Sequence, residues 1–380
     1  MSQDLVTREQ LLAHIQAHGQ VEGKVIQELD LRQDGELLRS VSVAGAAFLG
    51  CQLDGETVVS LYQGGAELFP PLDAALPFRP YRSGLYTVEE LYEGFDPAVE
   101  GSFWTAACDS KIYDYYTELR GLDGPVPIME SLAMRLHDHA VEDALHDLLH
   151  HHGPEPGADK KVVAIMGGHA MKRDEPIYAD IARMTRSLTR SGYFVATGGG
   201  PGAMEAGNLG AYFAPHADEA LDEALALLAG EVDYKAHRYL QLAVEARERW
   251  PRPEDGGQSL AIPTWFYGHE PSNMFASHIA KYFANSVRED GLLAIAKHGV
   301  IFAPGSAGTI QEVFMDACQN HYKTFEVVSP MIMFGVEHWT TKLPVWPLLQ
   351  AMSKDRPWAK LLALCDTGDE VLGTFERLLP

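Results

Sequence analysis

The chain has 380 residues, 46% of them hydrophobic and 22% charged, with a net charge of −23. That length suits two domains with a sizeable core, at roughly 100–200 residues each. So acidic a surface repels polyanions, which disfavours nucleic-acid polymers and anionic membranes; a small anion can still be held by local backbone amides and helix ends. In chain order, 5–18 reads as a short amphipathic helix. Segments 25–31, 40–49 and 57–62 have β character and are separated by Gly and Asp turns. Helices are expected at 86–95, 111–119 and 128–150, the last with an apolar stripe at Leu132, Leu136, Leu145 and Leu149. Together 1–155 reads as a smaller α+β N-terminal domain without an apparent internal repeat.

Segment 150–161, with its two prolines and two glycines, reads as a linker. From there the pattern becomes strand, glycine loop, helix, repeated. Strands are expected at 162–166, 193–197, 259–266, 299–303, 328–334 and 361–365. Helices are expected at 178–191, 204–213, 216–229, 234–250, 278–296, 309–319 and 370–378. Alternating elements of this length predict a Rossmann-like α/β domain over 156–380, with a doubly wound parallel sheet. Ligands of such sheets bind at the carboxyl ends of strands, near the topological switch point.

Three glycine loops stand where strands are expected to end: Met166–His169, Thr197–Glu205 and Ala303–Glu312. In the last two, glycine permits a tight turn and a close approach of phosphate, and the following helix offers unpaired N–H groups. Neither is the dinucleotide fingerprint or a P-loop. The runs GGGPGAMEA (198–206) and PGSAGTIQE (304–312), with Gly167, Gly168, Pro176 and Tyr178 upstream, resemble the paired motifs of the LOG family, over roughly 161–380. Members of that family are phosphoribohydrolases. The resemblance implies hydrolysis of the N-glycosidic bond of a nucleoside 5′-monophosphate, without metal or cofactor. It also implies a homodimer or higher homo-oligomer. The N-terminal domain and the long segment 215–257 are similar to the longer bacterial members. Two positions depart from the family: Ser306 replaces a glycine, and Glu289 replaces the lysine of an Arg-Lys pair.

The resemblance assigns Glu312 and Arg288 to catalysis. Glu312, expected on the first turn of its helix, would contact the ribose hydroxyls and orient water; Arg288 would hold the base or aid its departure. Gly167, Gly168, Gly199, Gly200, Gly202, Glu205, Gly305, Ser306, Gly308 and Thr309 would bind substrate and phosphate. Each charged residue has an alternative: Glu312 and Glu205 as first-turn charges that complement a helix dipole, Arg288 as a solvated surface cation. A non-catalytic nucleotide sensor or carrier is the competing reading for the whole domain. His139, Asp143, His146 and His150 share a helix face whose spacing could attract a metal, but the face lies away from the apolar stripe and is read as a solvated polar face, with no metal site expected. The four cysteines form no CxxC pair, and the N-terminal residues lack the basic and apolar regions of a signal peptide, so a cytoplasmic protein is expected.

Overall fold

The computed structural model describes residues 4–72, 75–150, 159–254, 256–325 and 327–378. It divides into two compact units, one of residues 1–85 with 117–159, the other of 86–116 with 160–380. The expected linker falls largely at 151–158, outside the described residues. Residues 86–116, read from sequence with the N-terminal half, cluster with the second unit. A buried ion pair inside that unit accounts for this. Lys281 Nζ stands 2.7 Å from Asp109, whose carboxylate also accepts from Trp265 Nε1 at 2.7 Å. Asp109 and Lys281 are both fully enclosed, so separating them would leave an uncompensated buried charge.

The first unit contains a repeat. Strands β1 (Asp4–Leu5), β2 (Val25–Gln27), β3 (Ala47–Leu49) and β4 (Glu67–Phe69) pair in parallel and in sequential order. Asp4 pairs with Val25, Val25 with Ala47 and Ala47 with Glu67, giving coils of 21, 22 and 20 residues. Between them run α1 (Arg8–His18), α2 (Gly35–Ser40) and α3 (Gly55–Gln63). The expected strand at 57–62 is therefore helical. Asp54 caps it, accepting from the Thr57 amide at 2.9 Å, and Leu61 faces the core. Each coil adds a short strand and an apolar side chain (Leu5, Ile26, Phe48) to one stacked core, as in solenoids. Helix α4 (Ile128–Leu149) buries Met134, His137, Val141, Leu145 and Leu149, while Leu132 is exposed. His139, Asp143 and His146 lie on its exposed side.

The second unit is a Rossmann-like α/β fold. Strands β5 (Val162–Met166), β6 (Phe194–Thr197), β7 (Ser259–Ala261), β8 (His278–Ile279), β9 (Val300–Phe302), β10 (Met331–Phe334) and β11 (Leu362–Cys365) form one parallel sheet. Its order is β11-β10-β9-β5-β6-β7-β8. Strand β5 is wholly buried, as its unbroken apolar sequence requires. The chain winds outward from β5 through β6, β7 and β8, then returns to β5's other side with β9. The topological switch lies between β5 and β9. Helices α5 (Pro176–Arg190), α6 (Ala203–Tyr212), α7 (Asn285–Ile295) and α8 (Ala307–Tyr322) connect and flank these strands. The long helix expected at 278–296 is a strand followed by α7, because Ile279 pairs with β7 and its backbone also bonds both ways with Tyr86. No helix among the described residues is long and apolar enough to cross a membrane.

Candidate active site

The three glycine loops follow β5, β6 and β9, neighbours around the switch point. They are tied to one another by their own backbones. The Gly168 amide donates to Pro304 O at 3.0 Å, and Gly168 O accepts from the Ala203 amide at 3.2 Å. Gly202 has φ +72°, and a Cβ there would stand 2.5 Å from Gly168 O. Glycine is therefore needed at that crossing for both conformation and space.

Behind the second loop lies a buried polar network that the sequence reading missed. Thr197 Oγ1 accepts from the Gly199 amide at 3.0 Å and donates to Asn208 Oδ1 at 2.7 Å. Asn208 Nδ2 donates to Ser259 Oγ, and Asn273 Nδ2 donates to Asn208 Oδ1. The Asn273 amide closes the circle on Gly199 O at 2.9 Å. Every member is buried, so the network holds the loop at the cost of losing its shape if one partner is removed. An asparagine on the inner face of a helix was the available sequence signal.

These loops wall a cavity of about 330 Å³. Gly167, Gly168, Gly200, Ser306, Gly308, Thr309, Arg288 and Glu312 line it, as do His169, Tyr267, Glu270 and Glu289. Gly199, Gly202 and Gly305 shape the loops without lining it. Helix α8 begins at Ala307 with Ser306 as N-cap, whose side chain makes no capping bond. The unpaired first-turn amides and the positive helix end remain available to an anion. His338, unforeseen from sequence, lies with Nε2 3.1 Å from Gly305 O and donates to it when that nitrogen is protonated. A larger cavity of about 690 Å³ in the first unit is lined mainly by apolar side chains such as Phe48, Val58 and Tyr62 and offers no charged group.

Glu312 stands on the second turn of α8, because the helix starts two residues earlier than its apolar pattern suggests. The dipole-complementing role applies to the first turn and so does not explain it. Its carboxylate is 3.7 Å from Arg288 Nη1, and both side chains are about nine-tenths enclosed. Burial pushes the Glu312 carboxyl up to about 7; Arg288 pulls it down and Glu289 pushes it further up. Arg288 is no solvated surface cation. Its Nε donates to Ile262 O at 3.1 Å, and a Cβ at Gly198 would stand 2.6 Å from its Nη2. Glu289, the residue replacing the expected lysine, accepts from Tyr267 Oη and from Gln311 Nε2.

Glu205 is not brought to the cavity. It is buried on the first turn of α6, where Arg173 binds it with two hydrogen bonds at 2.6 and 2.9 Å. Tyr178 and Tyr239 donate to the same carboxylate. Burial alone would raise its pKa, yet Arg173 and the tyrosines hold it below the ordinary range. Its work is to fasten the segment after the first glycine loop to α6.

No family model matches the chain, and no curated protein matches it by sequence. Among solved structures, the molybdenum cofactor binding protein from the phototrophic bacterium Rippkaea orientalis aligns over 59% of this chain and all of its own, with 12% identity and a TM-score of 0.37. The Moco carrier protein from Chlamydomonas reinhardtii aligns over 58% of this chain and 98% of its own, with 13% identity and a TM-score of 0.35. TM1055, a structural genomics target, aligns over 57% and 99%, with 16% identity and a TM-score of 0.36. Scores this low assign no function; the fold rests on the parallel strand order given above.

Proposed function

We propose that the second unit hydrolyses the N-glycosidic bond of nucleoside 5′-monophosphates, giving free base and ribose 5-phosphate. The carrying observation is Glu312: a carboxyl held near neutrality in a cavity walled by the glycine loops, 3.7 Å from a guanidinium. A pure phosphate binder gains nothing from a carboxylate beside its anion.

In this reading the phosphate sits on the first-turn amides of α8 and on the facing first glycine loop. The C1′–N bond breaks with its electron pair going to the base, through an oxocarbenium-like transition state. Water forms the new C1′–O bond and gives its proton to Glu312, which later releases it to solvent, and the departing base takes one proton from solvent. Glu312 takes the proton from water as carboxylate, and its pKa leaves both protonation states populated near neutral pH. Arg288 keeps that carboxylate oriented and reaches the same cavity. The carrier reading draws its support from Ser306 and Glu289, which depart from the motifs of the enzymes.

The test is incubation of the purified protein with AMP, GMP, IMP, CMP and UMP, with free base followed by chromatography and Glu312→Gln as control. Base released by wild type and not by the variant supports hydrolysis. Nucleotide binding with no base release would move the assignment to a carrier or sensor.

A further inference from the structure

Glu270 belongs to the cavity but has no part in the mechanism above. Its Oε2 would stand 3.0 Å from a Cβ at Gly200, so the carboxylate lies directly over the second glycine loop. His169, on the first loop, places Nδ1 3.9 Å from its Oε1. The side chain is one-third exposed, and it projects from a segment fixed on both sides. On one side the His269 ring is stacked on Tyr113 at 4.5 Å and on Phe103 at 5.4 Å. On the other, Asn273 bonds to Gly199 O and to Asn208. The chain is thus anchored one residue before Glu270 and three residues after it.

An ionised carboxylate only accepts hydrogen bonds. The ligand atoms beside Glu270 must therefore be donors, which rules out the phosphate itself there. In a nucleotide whose phosphate lies on the amides of α8, the neighbouring group is the ribose. Its adjacent 2′ and 3′ hydroxyls are a pair of donors that one carboxylate can accept together. Resting on the nucleotide reading, we propose that Glu270 binds the ribose diol and sets a preference for ribonucleotides over 2′-deoxyribonucleotides. Gly200 serves that role by leaving the carboxylate its place.

The test is calorimetry of the full chain with ribose 5-phosphate and 2-deoxyribose 5-phosphate, and with GMP and dGMP, for wild type, Glu270→Gln and Glu270→Asp. A charge-assisted hydrogen bond left unmade corresponds to about a 10- to 100-fold loss of affinity. Wild type is expected to show a ribo-to-deoxy ratio in that range. Glu270→Gln should bring the ratio to within a few-fold of unity, and Glu270→Asp should fall between. Inorganic phosphate should bind the variants at least as well as wild type, which shows that the loops are intact. Equal affinity of wild type for ribo and deoxy ligands, or a ratio that survives Glu270→Gln, would overturn the assignment while leaving the nucleotide reading standing. Binding of phosphate without any nucleotide or sugar phosphate would overturn both.

Discussion

Glu312, Arg288 and Glu289 form one electrostatic unit, a guanidinium between two carboxylates at 3.7 and 3.9 Å. If Glu312 acts as carboxylate, kcat/KM should fall below about pH 7, approaching tenfold per unit. Neutralising Arg288, as in Arg288→Met, removes the charge that lowers this pKa and should move the acid limb to higher pH. Glu289→Gln removes the charge that raises it and should move the limb to lower pH. A limb that stays fixed in both variants would deny Glu312 the role. The same shift bears on folding. A carboxyl whose pKa is raised in the folded state holds protons the unfolded chain has released, so stability falls as pH rises between the two values. Glu312 was legible in the motif 304–312 and Arg288 and Glu289 in the segment 286–290 upstream of it, but the burial that tunes Glu312 was not, because it depends on the packing of α7 against α8.

At the scale of elements, the loops owe their shape to partners distant in sequence. Gly202→Ala adds a methyl against Gly168 O at a positive φ and is expected to abolish nucleotide binding while the protein still folds, measured by calorimetry and circular dichroism. Asn208→Ala leaves Thr197, Asn273 and Ser259 short of buried partners and should cost about 1–3 kcal/mol by urea denaturation. Helix α8 carries a further strain. Asp316, one turn beyond Glu312, is buried with Oδ2 unpartnered among the described residues, and burial pushes its carboxyl up to about 8. Asp316→Asn should therefore raise Tm most at pH 8–9, with the gain shrinking as pH falls toward 3.8, the model value below which folded and unfolded chains alike hold the proton. Helix existence read well from periodicity. The boundaries at 278–285 and the helix at 55–63 did not, since short apolar runs fit strand and helix alike and only the sheet neighbours decide.

Across the whole molecule, the doubly wound parallel sheet of the second unit was legible at every strand but β8, because continuous apolar strands alternate with amphipathic helices, and that pattern leaves few topologies. The solenoid of the first unit was not. Its coils share little beyond a glycine of positive φ ahead of each of β2, β3 and β4, at Gly23, Gly45 and Gly65. Their strands have two or three residues each, too short for alternation to register. The net charge of −23 belongs to this scale too. An anionic nucleotide approaches against a repulsive field, so its association rate should increase with ionic strength over 10–150 mM salt, read by stopped flow. A rate that falls with salt would mean that local positive potential governs entry instead.

The most direct measurement is release of free base from nucleoside monophosphates by wild type and Glu312→Gln, with nucleotide affinity measured on both. Wild type is expected to release base and ribose 5-phosphate in equal amounts. The variant should release base about 10²- to 10⁴-fold more slowly while its affinity stays within a few-fold. Wild type that binds nucleotide and releases no base, or a variant as active as wild type, would contradict the proposed hydrolysis.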